Sequence, residues 1–238
     1  MEKLGATHPD TLTAMHDLAH TLQQLGNLKE AENLQIQVLE ARKSILGDEH
    51  SSTLTAMHTL AYTLQQLGNL REAENLQTQV LEAEKRILGD EHPDTLSAMH
   101  TLAYTLQQLG NLKEAEDLQK QVLEASKRIL GDEHPHTLTA MHTLAYTLQQ
   151  LGNLKEAEDL QKQVLEASKR ILGDEHPETL TTMHNMAWIW YYQGDIDRAI
   201  DLMKETNVLD TKIGIDPWNT PATLAKWKAE KAAQEQNE

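Results

Sequence analysis

Twelve histidines are the first candidates for chemistry in this chain of 238 residues. Imidazole nitrogens titrate near neutral pH, so they serve as metal ligands and as general acids or bases. Ten of the twelve form two series: His8, His50, His92, His134 and His176, and His16, His58, His100, His142 and His184, each at intervals of 42 residues. That spacing works against a metal centre. Zinc needs its ligands at roughly 2.1 Å, whereas packed helices stand about 8–10 Å apart. Only His16 and His20, four apart, could chelate from one helix, and no third ligand accompanies them. Carboxylates recur too, in triplets such as Glu30-Ala31-Glu32 and in a Gly-Asp-Glu corner. An active site occurs once, so recurring carboxylates read as solvated surface rather than as an acid–base pair. The chain has no cysteine, which excludes thiol nucleophiles, disulfides and cysteine-held metals. Its glycines occupy turn positions and none lies in a phosphate-binding pattern. The expectation is a protein with no catalytic residue, no metal and no cofactor.

Acidic residues outnumber basic ones 37 to 21, a formal charge of −16. That field repels nucleic-acid phosphates and anionic membranes, so neither is expected as a partner. No stretch approaches the ~18 apolar residues of a membrane span, and the first thirty residues lack a signal-peptide core. A cytoplasmic protein is expected. With no phenylalanine and 4% aromatics, any core must be built from Leu, Ile, Val, Met and Ala.

The elements that position these residues follow from the period. Gly26, Gly68, Gly110, Gly152 and Gly194 keep the same interval of 42 as the histidines. Five units result, at 8–49, 50–91, 92–133, 134–175 and 176–213. The third and fourth differ only at Asp94/His136 and Ser97/Thr139. In the first unit Pro9 suits the first turn of a helix, with Asp10 beside it to complement the positive helix end. Leu12, Met15, Leu18, Ala19, Leu22 and Leu25 then mark one helical face. Gly26-Asn27 breaks the pattern with residues able to adopt left-handed backbone. A second helix runs from Leu28, its apolar stripe comprising Ala31, Leu34, Val38, Leu39, Ile45 and Leu46, and Gly47 stops it. Residues 1–7 match the end of a preceding unit, Lys3-Leu4-Gly5 standing where Ile45-Leu46-Gly47 stands later. Residues 214–238 read as a capping helix, with Leu224 and Trp227 on its apolar side, and a polar tail.

The stretch His92-Pro-Asp-Thr-Leu, Leu102-Ala103, Leu109-Gly110-Asn111-Leu112-Lys113-Glu114-Ala115-Glu116, Val122-Leu123-Glu124 and Ile129-Leu130-Gly131 resembles a tetratricopeptide repeat. It is similar to the 42-residue variety of kinesin light chains, and to the arrays at the C-termini of fungal NOD-like receptors, where neighbouring units are nearly identical. Gln119 stands where the family usually has an aromatic ring. The resemblance implies an all-α, right-handed superhelical solenoid of five helix-turn-helix repeats with a C-terminal cap. It also implies that the first helix of each repeat lines a concave inner wall.

By that resemblance the partner-binding groove comprises His16 and His20 of the first unit, His58, Thr59, Tyr62 and Gln66 of the second, and His100, Thr101, Tyr104 and Gln108 of the third. The fourth contributes His142, Thr143, Tyr146 and Gln150, and the fifth His184, Asn185, Trp188 and Tyr192. These are mostly uncharged hydrogen-bonding groups, with one ring per unit that loses little entropy on binding. Trp190 falls on the apolar stripe and is expected in the core. The kinesin pattern often has asparagine where Thr59, Thr101 and Thr143 stand; Asn185 keeps it. The expected function is that of a non-catalytic protein- or peptide-binding domain, the ligand-sensing C-terminal region of a fungal NOD-like receptor. A kinesin-type cargo adaptor and a structural self-association scaffold remain alternatives. A weak homodimer through the N-terminal end is also expected, because Leu12 and Leu18 would pack on a preceding unit.

Overall fold

A computed structural model of the chain describes Gly5, residues 7–214 and residues 218–235. Among these are eleven α-helices and no strand. Five pairs come first: α1 Pro9–Gln24 and α2 Leu28–Leu46, α3 Ser51–Gln66 and α4 Leu70–Leu88, α5 Pro93–Gln108 and α6 Leu112–Leu130, α7 Pro135–Gln150 and α8 Leu154–Leu172, α9 Pro177–Tyr192 and α10 Ile196–Ile213. A last helix, α11, spans Thr220–Glu235. Lys3-Leu4, Pro217 and the end of the polar tail lie outside the described residues.

The histidines at the unit junctions have a structural task that their spacing alone does not reveal. Each is an N-cap. His8, His50, His92, His134 and His176 have extended backbone, and each Nδ1 accepts from the backbone N–H two residues on, at 3.1–3.2 Å. The cap satisfies one of the orphan donors of the first turn, the task usually given to Ser, Asp or Asn.

The turn inside each pair is equally local. At the end of α3 the Gly68 N–H donates to Gln65 O and the Asn69 N–H to Leu64 O. This is the Schellman pattern, which needs left-handed backbone, and Gly68 supplies it with φ of 80°. Asn69 is not left-handed; its φ is −79° and its carbonyl starts α4, accepting from Ala73. The glycine alone carries the break.

The chain forms two compact units, Met1–Leu118 and Gln119–Glu238, which divide within α6. In the first unit α1 packs on α2, α2 on α3, α3 on α4 and α4 on α5. Fully buried alanines (Ala19, Ala31, Ala61, Ala73, Ala103) let these helices approach closely, with Met57, Met99, Leu64 and Leu106 filling between them. Buried threonines tie first helices together: Gln23 Nε2 donates to Thr63 Oγ1 at 2.9 Å, and Gln65 Nε2 to Thr105 Oγ1 at 3.1 Å.

The second unit repeats this scheme through α7, α8 and α9, then changes. Its end is a cluster of Ala187, Ala199, Ile200, Met203, Leu224 and Trp227, so α11 does present Leu224 and Trp227 to α9 and α10. Trp227 is fully buried, and its ring stacks on Tyr191 at 4.7 Å and meets Trp188 edge-on at 4.9 Å.

The stripes need amending in two places. Leu18 and Leu25 are 51% and 71% exposed, whereas Leu60 and Leu102, the counterparts of Leu18, are buried, Leu60 beside Ile36 of α2 and Leu76 of α4. Ile45-Leu46 and its counterparts Ile87-Leu88, Ile129-Leu130 and Ile171-Leu172 are also exposed, in the last turn of each second helix. Helical periodicity places them on the core face; Ile87-Leu88 and Ile171-Leu172 instead line open clefts beside the first helices.

Candidate functional site

The proposed contact residues lie on one face of the first helices because packing claims the other side. In α3 the positions of Leu54, Met57, Leu60, Ala61 and Leu64 are buried, which leaves His58, Thr59, Tyr62 and Gln66 on the remaining side. The structure brings His20 of α1 together with these four around a cleft of about 500 Å³, which Gln23 and Gln24 also line. Tyr62 and Tyr104 are each about half exposed, at 50% and 49%. Thr59 Oγ1 donates to Thr55 O and Thr101 Oγ1 to Ser97 O, both 2.9 Å, so their hydroxyl protons serve the helix and their lone pairs face outward. Gln66 and Gln108 are exposed, and His16 and His100 are half-buried. Burial, and then the charge of Arg42, lowers the His16 pKa.

A second cleft of about 400 Å³ lies between α3 and α5, with α4 beneath it. Here His58 Nε2 stands 3.4 Å from Oε1 of Glu84, a carboxylate only 5% exposed. Burial pushes the Glu84 carboxyl upward while His58 pulls it back.

In the second unit the picture is more closed. His142 Nε2 is 3.1 Å from Asn185 Nδ2, and its Nδ1 is 3.4 Å from Nε2 of the buried Gln161. Burial lowers the His142 pKa. Thr143 Oγ1 donates to Ala140 O at 3.1 Å; Tyr146 is half-exposed and Gln150 exposed. Asn185, the residue that matches the kinesin pattern, is thus engaged with His142 instead of facing outward freely.

His184 and Trp188 do not sit on an open wall. His184 is 8% exposed, stacks on Trp218 at 4.9 Å and accepts from Trp188 Nε1 at 3.3 Å. Trp188 in turn abuts Trp227 of α11. The cause is the last helix, whose apolar side needs cover and takes it from the rings of α9. Tyr192, 55% exposed, remains on the surface beside Trp188. Trp190 is half-buried: its Nε1 donates to Glu158 Oε1 at 3.1 Å and the Arg198 guanidinium lies 4.0 Å above its ring.

The recurring carboxylates also need correction. Glu116 and Glu158, in Glu-Ala-Glu triplets, are buried rather than solvated. Glu158 accepts from Lys162, Gln193 and Trp190. Burial works against its charge, but these donors outweigh it and hold the carboxyl at about 2. Sequence periodicity could not foresee this, because Trp190 and Gln193 come from the one repeat that departs from the pattern. Among the described residues no group of three or more His, Asp or Glu side chains is placed to hold a metal ion, and no helix is long and apolar enough to cross a membrane.

A family model described as Tetratricopeptide repeat matches residues 1–44, 10–85, 52–128, 94–170 and 138–206. No curated protein matches the chain in sequence. Among solved structures, the nearly identical TPR-like repeats of a Podosopora anserina chain described as a kinesin light chain are 34% identical, with TM-score 0.78, covering 87% of this chain and 98% of that one. A second crystal structure of those repeats, carrying a point substitution, is 31% identical, with TM-score 0.79 and coverage of 89% and 99%. BtubC of P. vanneervenii shares the fold at 16% identity, with TM-score 0.73 and coverage of 86% and 82%.

Proposed function

The chain belongs to the tetratricopeptide repeat family, and from that premise we propose that it is a non-catalytic protein-binding domain whose first helices receive a peptide segment of a partner. The observation that carries this reading is the cleft that His20, His58, Thr59, Tyr62 and Gln66 line together, with the Tyr62 ring 50% exposed beside it. Such a face offers donors and acceptors to a peptide backbone and rings to its side chains. Tyr104 and Gln108 extend it in the first unit; Thr143, Tyr146 and Gln150 form its counterpart in the second. The setting we propose is the cytoplasmic, ligand-sensing C-terminal region of a fungal NOD-like receptor, a reading supported by the near identity of units 92–133 and 134–175. A kinesin-light-chain-like cargo adaptor is favoured by one observation, the 31–34% identity to the Podosopora anserina repeats. Exposed Leu18 and Leu25 support weak pairing of two copies through α1.

Selection from a displayed library of linear peptides tests the binding role. Enrichment on the wild-type chain should disappear with Tyr62→Ala/Tyr104→Ala while the melting temperature stays nearly unchanged, since both rings are half in solvent. Each such ring is worth about 2 kcal/mol or more where it is a hot spot. Equal enrichment on the double variant would move binding off this face.

A further inference from the structure

In a repeat array the fold demands the same residue at equivalent positions, so departures mark places the fold leaves free. Units 50–91 and 92–133 differ at seven positions. Of these only the pair Glu84/Ser126 is buried in both units. The equivalent residue is Arg42 in the first repeat, Ser168 in the fourth and Asp210 in the fifth, where Thr220 of α11 stands over it with Oγ1 3.5 Å from Asp210 Oδ2. Glu84 forms the floor of the cleft between α3 and α5, and Ser51, Thr55, Asp94 and Ser97, which also vary between repeats, line its sides. One position therefore changes from a cation to an anion to a hydroxyl at the base of equivalent clefts. The Arg42 guanidinium bonds Ser52 O at 2.9 Å and occupies its own site. Ser168 leaves a smaller cleft of about 280 Å³, walled by Leu138, Val164, Ile171 and Leu172.

Glu84 is different because its needs are not met from within. One carboxylate oxygen faces His58; the other, Oε2, is buried and has no hydrogen-bond partner. A carboxylate oxygen out of water and without a donor is a costly arrangement that a cation would relieve. Asp94 at the rim adds a second negative charge, and Ile87 and Leu88, exposed at the mouth, offer apolar surface for an aliphatic stem. An acidic floor beneath apolar walls matches the anatomy of an arginine or lysine side chain. The net charge of −16 would draw such a ligand in.

We propose that the α3–α5 cleft, floored by Glu84, seats a cationic side chain of the bound peptide, and so sets this domain's preference for basic segments. The inference rests on the peptide-binding reading of the first-helix face.

Two probes test it. N-acetyl-arginine amide and its neutral isostere N-acetyl-citrulline amide are titrated into the protein and followed by NMR at His58 and the surrounding amides. The arginine probe should give saturable shifts and the citrulline probe none. Glu84→Ser, the residue native to positions 126 and 168, should weaken the arginine response about tenfold or more, as expected for loss of a charge-assisted hydrogen bond. Ser168→Glu should confer a response on the α7–α9 cleft. Equal shifts with both probes, or an undiminished response in Glu84→Ser, would overturn the proposal. In the peptide display, a basic residue enriched on the wild type and lost on Glu84→Ser supports it. Enriched peptides without a basic residue overturn it yet leave the peptide-binding reading intact. Arginine binding with no peptide enriched overturns both, making the cleft a small-cation site.

Discussion

Glu158 offers the sharpest check on how the last repeat is held. Three donors converge on it: Lys162 Nζ at 2.6 Å, Gln193 Nε2 at 3.0 Å and Trp190 Nε1 at 3.1 Å. The latter two tie α9 and its following turn to α8. A carboxyl lowered from 4.5 to about 2 favours the folded state by roughly 3 kcal/mol at most, and solvent screening at this helix edge brings that to about 2 kcal/mol. A depressed carboxylate pKa gives stability that is complete above the unfolded value near 4.5 and is lost as pH falls toward 2. Glu158→Gln should thus cost about 1–2 kcal/mol at pH 7, with the difference from wild type vanishing near pH 2. Glu158→Lys should cost more, since it leaves the half-buried Trp190 Nε1 without its acceptor and repels Lys162. Urea unfolding followed by tryptophan fluorescence reads this region selectively, because all four tryptophans lie between 188 and 227. Superimposable curves for wild type and Glu158→Lys at pH 7, with the same acid limb, would refute the reasoning and return Glu158 to solvated surface.

Removing a histidine cap, His92→Ala, should cost about 1 kcal/mol by denaturant titration, and His92→Asn should restore most of it. Acidification below about pH 6.5 should destabilise the second unit, because burial lowers the His142 and His184 pKa values and protonation then favours the unfolded chain. His142→Gln should flatten that dependence, as hydrogen exchange in α7 against pH would report. Ala14→Glu with Thr21→Glu, flanking exposed Leu18, should abolish concentration-dependent self-association in sedimentation equilibrium. Deleting 92–133 in register should leave a soluble protein with proportionate helical circular dichroism, since each repeat is stabilised by its neighbours.

The parts of the fold legible in the sequence are those governed by local chemistry repeated five times. Pro9 at a helix start, Gly68 at a turn and the alanines at helix crossings each follow from one residue's conformational range or size. The caps were not legible, because a histidine Nδ1 that accepts a backbone N–H leaves no spacing different from that of a surface histidine. The exposed Ile-Leu pairs were misplaced because periodicity describes a helix as if it were covered along its whole length. At the candidate site, His58, Thr59, Tyr62 and Gln66 line one cleft, on the side of α3 that the apolar stripe leaves open. His184 and Trp188 could not be placed from the sequence, since what covers them is Trp218 and Trp227, far along the chain and outside the repeat.

These two outcomes have a common physical basis. Where the chain repeats, each side chain meets the same neighbours, and the pattern reports on packing alone. Where it departs, packing no longer dictates the residue, and what remains is either closure of the array or recognition of something else. Trp188, Tyr191 and Trp227 answer to closure: they surround one another and seal the end of α9 and α10. Glu84 does not fit that account. It sits inside an otherwise regular repeat, buried, with an acceptor oxygen that no side chain of its own unit satisfies. Serine serves the fold at positions 126 and 168 without that cost, and the fifth repeat's Asp210 meets Thr220 of α11, so the Glu84 carboxylate is most simply explained by a cation that arrives from outside.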